Sequence, residues 1–203
     1  MSIYKPFYIV VRIIVYSLLM AGVFLAVKYD ALYPMGEGYF GELSFTEISQ
    51  EIILFILFGC YLFLGRKYKQ VRPVVNILSL LFLIMFIREF NFFIDWWLYP
   101  VLFILVVIGW LTVRDYKMLK SATVEFFTHP ASAWFLAGLI VTCVFSRLFG
   151  QSAFWRILYD ESIYRLAKAA TEEGIELLGD TLMLISGIEF IFILMQKNKG
   201  LEK

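Results

Sequence analysis

The carboxylates of this 203-residue chain sit where membrane segments begin and end. Glu47 and Glu51 stand four residues apart, so a helix puts them on one face, with Gln50 beside them. Arg88 and Glu89 fall about one turn before an apolar run ends, and Asp95 lies two helical turns after Arg88. Glu172, Glu173, Glu176 and Asp180 open another apolar run; at about 100° per residue they fill one arc of about 100°. Gly187 continues that face deeper and leaves room for a close neighbour.

Three kinds of chemistry suit such a set. An arginine fork holds two carboxylates at once, so Arg88 can anchor an ion-pair network, and acids at helix N-termini complement the dipole. Crowded carboxylates repel, which raises some proton affinities or recruits a cation. All-oxygen ligands suit Ca²⁺, Mg²⁺ or Mn²⁺, with Glu47, Glu89, Glu173 and Glu176 as the metal-ligating candidates, and a carboxylate row also suits protons. Paired carboxylates can further act as general acid and base on a lipid or peptide.

The elements that must position these groups are apolar. Hydrophobic residues make up 61% of the chain and mean hydropathy is +0.79, against about 45–50% apolar for soluble domains. Apolar runs fall at 7–28, 46–65, 73–94, 96–114, 131–149 and 171–195, each near the ~20 residues that span a bilayer. The sequence predicts an all-α bundle of six transmembrane helices, a single membrane domain over 1–203. The first run carries Arg12, is long for a signal peptide and is expected to stay in the protein. Ser44-Phe45-Thr46-Glu47 has the spacing of a capping box, which starts the second helix near Ser44. Pro73 fits the first turn of the third, and Trp96, Trp97, Tyr99 and Pro100 mark an interface before the fourth. Residues 151–170 mix Phe154, Trp155, Leu158, Ile163 and Leu166 with Arg156, Arg165 and Lys168, the pattern of an interfacial amphipathic helix, which can run on into the last span.

Basic residues set the orientation. Lys5, Arg66, Lys67, Lys69, Arg72, Arg114, Lys117, Lys120, Lys197, Lys199 and Lys203 share one side of a six-span topology, and the fewer Lys28, Arg88, Arg147, Arg156, Arg165 and Lys168 share the other. The first group is expected in the cytoplasm, with both termini, in a cell's inner membrane. All carboxylates except Asp115, Glu125, Glu202 and Glu189 then lie on or near the outer side, and Glu47, Glu51, Glu89, Glu172, Glu173, Glu176 and Asp180 are expected to converge with Arg88. Arg12 and Glu189 match in depth from the cytoplasmic side and are expected to form a structural ion pair.

The net charge of +1 gives no basic field for nucleic acid. Cys60 and Cys143 lie inside apolar runs as free thiols, and His129, the single histidine, reads as a turn residue before Pro130. Phosphate loops, a GxSxG elbow and a nucleophile–histidine pair are absent from the sequence. Glu47-Ile-Ser-Gln50, Arg88-Glu89 and Glu172-Glu173-Gly-Ile-Glu176-Leu-Leu-Gly179 as a set resemble small bacterial inner-membrane proteins with an Arg-Glu pair and a late Glu-Glu-x-x-Glu motif. That resemblance implies a multi-pass membrane protein and no particular activity. Membrane hydrolases similar to alkaline ceramidases also open an early helix with acids, but they hold zinc through histidines that this chain lacks.

The functional expectation is a cation-handling channel or transporter with an outward-facing acidic vestibule. A membrane enzyme using the same carboxylates, or a non-catalytic assembly or regulatory subunit, are the alternatives. Lipid is the expected partner, and a homo-oligomer would form a conducting pathway more easily than one short chain.

Overall fold

A computed structural model describes residues 4–34, 40–41, 43–90, 96–161 and 163–201, with side chains described for 7–34, 40–41, 43–90, 96–161 and 163–196. The described chain is helical and contains no strand. Its elements are α1 (Tyr4–Leu32), α2 (Phe45–Lys67), α3 (Arg72–Glu89), α4 (Leu98–Arg114), α5 (Tyr116–Phe127), α6 (Ala131–Ile140), a π-helical turn (Val141–Phe145), α7 (Ser146–Phe149), α8 (Ser152–Leu158) and α9 (Tyr164–Leu201). Four stretches are long and apolar enough to cross a membrane: Phe7–Leu32, Phe45–Lys67, Ala131–Phe149 and Tyr164–Gln196. A fifth is reached if α4 and α5, bent by 99° at Asp115, count as one broken span.

Local chemistry sets several boundaries. Ser44 Oγ accepts the Glu47 N–H at 3.3 Å, so α2 starts at the capping pattern. Proline sits in the first turn of α3, where its missing N–H costs nothing. Arg72 Nε donates to Gly65 O at 3.0 Å and satisfies a carbonyl in the last turn of α2. Two boundaries differ from expectation. Helix α3 ends at Glu89, where residues to 94 were expected to continue; 91–95, and with them Asp95, lie outside the described residues. The expected interfacial helix over 151–170 is divided: α8 stops at Leu158, and 164–170 belong to the 38-residue α9. Extended backbone at Tyr159 ends α8. Helix α5 is not anticipated by the sequence, where Arg114, Lys117 and Lys120 read as loop charges after the fourth run.

The chain forms two compact units, Met1–Ile48 with Ile140–Thr181, and Ser49–Leu139 with Leu182–Lys203. The second unit has an aromatic core. Phe82 lies 5.4 Å from Tyr61 and 6.2 Å from Phe135, and Phe126 packs edge-on against Phe135 and Phe190 at 5.7 and 5.0 Å. These edge-to-face contacts suit ring quadrupoles. Gly187 lets α9 approach α2 closely: a Cβ there would meet Leu57 at 3.2 Å. Ser79 donates to Phe58 O at 2.9 Å and Ser186 to Ala131 O at 2.7 Å, so small hydroxyls tie these helices together as well. In the same unit α3 packs on α4 and α5.

Candidate functional site

The first unit is held by charge. Asp30, buried near the end of α1, accepts the first two N–H groups of α2, Phe45 N at 2.7 Å and Thr46 N at 2.8 Å, and the Thr46 hydroxyl at 2.7 Å. Ser44 Oγ meets Thr46 Oγ1 at 3.0 Å. A carboxylate here satisfies donors that a helix N-terminus leaves open and complements its positive end. Sequence reasoning gave Asp30 no role, since a cap supplied from fifteen residues upstream has no local spacing to betray it.

A second constellation joins the π-helical turn and α7 to the opening of α9. Arg147 donates to Glu172 at 3.1 Å and forms a short ion pair with Glu176, and Lys168 stands 3.5 Å from Glu172. The Glu172 carboxylate lies against Gly150, where any Cβ would collide with it. The glycine therefore clears the approach between Glu172 and Arg147. One turn deeper, Thr142 Oγ1 is 3.3 Å from Asp180 Oδ1 and 3.4 Å from Glu176 O. Widening of the helix at 141–145 accompanies this contact. The Ser146 N–H reaches Val141 O, five residues back, while the Ser146 hydroxyl takes Thr142 O. Single π turns recur at functional sites because they rotate side chains out of the α-helical register.

Along α9, Glu172, Glu176 and Asp180 follow one another at four-residue spacing, an offset of about 40° per step. Their burial deepens in that order. Glu172 is half-buried, Glu176 retains 4% of its exposure and Asp180 2%, while the Arg147 side chain keeps 53%. The row thus runs from a solvated guanidinium to a buried carboxylate inside a stretch apolar enough to span a membrane.

Arg147 is the arginine that Glu172 and Glu176 share, a role sequence reasoning had looked for in Arg88. Its type and outer position were visible in the sequence, but its distance from α9 along the chain hid the pairing. Arg88, in the second unit, bonds its own neighbour: Nη2 and Nε lie 2.7 and 3.2 Å from Glu89 Oε1. Glu51 lies in the second unit with Arg88 and Glu89, whereas Glu47, Glu172, Glu173, Glu176 and Asp180 lie in the first. Glu47 sits in the first turn of α2 and Glu173 lines a cleft with Glu172 at the start of α9. Arg12 is exposed on α1 in the first unit and Glu189 is buried on α9 in the second. Among the described residues, no three His, Cys, Asp or Glu side chains gather closely enough to hold a metal ion.

His129 of the second unit does more than fill a turn. Its Nδ1 accepts the Ala131 N–H at 3.2 Å and its ring packs on Phe190. Burial pushes the imidazole below its ordinary proton affinity, and the charges of Glu189 and Glu125 oppose that shift.

Comparison of the chain with protein-family models, with curated proteins and with solved structures finds no match.

Proposed function

We propose that this protein is a multi-pass membrane transporter or channel for cations, and that the proton is the cation handled along Glu172, Glu176 and Asp180. The observation that carries this reading is the graded burial of that carboxylate row beside the π-helical turn. An ionisable side chain at membrane depth is expensive to keep, and chains of Asp and Glu there serve proton movement. A proton needs a single oxygen, while Ca²⁺ needs about six to eight oxygen ligands. Glu176 and Asp180 supply carboxylates one turn apart, and the Thr142 hydroxyl stands beside the deeper one, 3.3 Å from Asp180 Oδ1 and 3.4 Å from the Glu176 main-chain carbonyl. Arg147 is then the resident counter-cation. A proton arriving on Glu176 cancels its charge, leaves the guanidinium to Glu172, and can pass on to the next carboxylate.

In this reading α1, α2, α3, α4, α6–α7 and α9 are six crossings, with both termini in the cytoplasm of an inner-membrane protein. Supporting the two shorter crossings, α3 and α4 have 18 and 17 residues, or about 26–27 Å at 1.5 Å per residue, against a hydrocarbon core of about 30 Å. Helix α5, turned sharply from α4, then lies along the cytoplasmic surface, and α8 along the outer one.

One observation favours a second reading. Glu172 already has two cationic partners, Arg147 and Lys168, as expected of a structural network in a non-catalytic assembly subunit. Flux separates the two. The full chain in liposomes with a trapped pH dye, under an imposed potential, is expected to move protons, and Asp180→Asn to slow them about tenfold or more, the usual size of one lost proton-transfer group. If neither protons nor Na⁺, K⁺, Ca²⁺, Mg²⁺ or Mn²⁺ cross faster than through empty liposomes, or if Asp180→Asn changes nothing, the transport reading fails.

A further inference from the structure

Helix α5 leaves α4 at a bend of 99° and has two unlike sides. Leu119, Ala122 and Phe126 share one side and pack into the aromatic core of the second unit. At about 100° per residue, Tyr116, Phe127, Lys120, Val124 and Lys117 fill an arc of about 100° on the other side. All five are exposed, Tyr116 and Val124 at 65% and 57%. The exposed arc thus interleaves two ammonium groups with two rings and a branched side chain.

The same end of the unit is basic. Tyr68 and Val71, in the connection between α2 and α3, belong to the core that holds Ala122 and Phe126, and α3 packs on α5. Residues 66–72 and 114–127 therefore border one another, and they hold seven Lys and Arg against two acids, Asp115 and Glu125. Arg114 pairs with Asp115 at 2.6 Å and lies 4.3 Å over the Trp110 ring, and Lys67 lies over the rings of Phe63 and Tyr68. Among the described residues, no carboxylate pairs with Arg66, Lys69, Lys117 or Lys120, and all four are exposed. Such a surplus of one sign attracts anions. A purely basic face would suit any polyanion. Lysines set among rings and aliphatic side chains suit the boundary where phosphates meet acyl chains.

We propose that this face binds anionic phospholipid, with phosphodiester groups against Lys117, Lys120, Arg66 and Lys69 and acyl chains against Tyr116 and Phe127. Each ammonium has three donors for phosphate oxygens, and a guanidinium holds phosphate by charge-assisted hydrogen bonds. A negatively charged leaflet attracts basic segments beside a membrane helix. A zwitterionic headgroup carries its own ammonium beside each phosphate and offers these cations no net charge. The inference rests on α5 lying along a membrane surface, as in the six-crossing reading. It does not rest on proton movement along α9, so a protein that moves no protons still binds lipid here.

The test is lipid binding to the full-length protein in a neutral detergent, read by native mass spectrometry and by thermal unfolding. The probes are dioleoyl phosphatidylglycerol, dioleoyl phosphatidylcholine and poly-L-glutamate. Phosphatidylglycerol is expected to raise the unfolding temperature and to bind about tenfold or more tightly than phosphatidylcholine, a preference that shrinks as salt rises. Lys117→Gln and Lys120→Gln should each reduce the preference about fivefold, the scale of one cation near a charged membrane surface, and together should abolish it. Lys117→Arg with Lys120→Arg keeps both charges and should keep the preference. Without added lipid the glutamine pair should unfold where the unaltered protein does, because both lysines are exposed. Equal binding of the two lipids would leave only annular lipid. A preference that survives the glutamine pair, or that the arginine pair loses, would remove α5 from the site. Poly-L-glutamate that stabilises as well as phosphatidylglycerol would make the face a general polyanion site. Each of these results overturns the proposal.

Discussion

Rings and branched chains fill the second unit: Tyr61, Phe82, Phe126, Phe135, Met183 and Phe190 are buried there, with hydroxyls such as Ser79 and Ser186 turned onto backbone carbonyls. In the first unit the buried groups include Asp30, Thr46, Thr142, Ser146, Glu176 and Asp180, and the apolar side chains around them, Ala26, Leu177 and Trp155 among them, are fewer. Between apolar helices in lipid there is little hydrophobic drive, so packing and short hydrogen bonds hold a unit of the second kind together. A unit of the first kind keeps charges that packing alone would not require, and each must be answered by a partner or removed. On the proposed function, the second unit supplies stability and the first supplies the chemistry.

Substitutions can break that division. The largest effect is expected at Phe126, which is fully buried against Phe127, Phe135 and Phe190. Phe126→Ala should cost about 3–5 kcal/mol, read as a lower unfolding midpoint in detergent. A stability close to that of the unaltered protein would show that the rings are not what holds the second unit. Asp30→Ala comes next, since it strips three hydrogen bonds from the start of α2. A loss of about 1–3 kcal/mol is expected, with faster hydrogen exchange at the Phe45 and Thr46 amides. Exchange there that matches the unaltered protein would show that Asp30 does not cap α2.

The smallest effect concerns pH in the second unit. Burial holds His129 below its ordinary value of 6.5, so the unfolded chain takes up its proton more readily than the folded one. The contribution of neutral His129 is therefore complete above pH 6.5 and is lost as pH falls through the lower folded value. His129→Asn keeps an acceptor for the Ala131 N–H but does not titrate. Its unfolding midpoint should fall less steeply with acidification than that of the unaltered protein, and identical slopes would contradict the assignment.

Much of this division is written locally in the sequence. The capping pattern at Ser44, Pro73 at the start of α3, and the four-residue spacing of Glu172, Glu176 and Asp180 each depend on neighbours within one or two turns, so periodicity reveals them. What sequence reasoning missed is set by tertiary contact. Asp30 caps a helix from fifteen residues away, and Arg147 pairs with acids 25 and 29 residues later. The π-helical turn at 141–145 has no composition of its own: Val-Thr-Cys-Val-Phe reads as ordinary membrane helix. Helix α5 was hidden because its Lys117 and Lys120 counted as loop charges, while Ala122 and Phe126 on the same helix are buried. Nothing in the sequence marks Phe82, Phe126 and Phe190 as core residues, because aromatic content alone does not distinguish a core ring from a belt ring.

The sharpest comparison sets two buried glutamates of α9 against each other, Glu176 in the first unit and Glu189 in the second. Both can be changed to glutamine with the shape retained, and proton flux measured in the same liposomes. Glu176→Gln is expected to lower flux about tenfold or more, while Glu189→Gln leaves it close to that of the unaltered protein. Flux that survives Glu176→Gln, or that depends on Glu189 instead, would contradict the placement of the chemistry in the first unit.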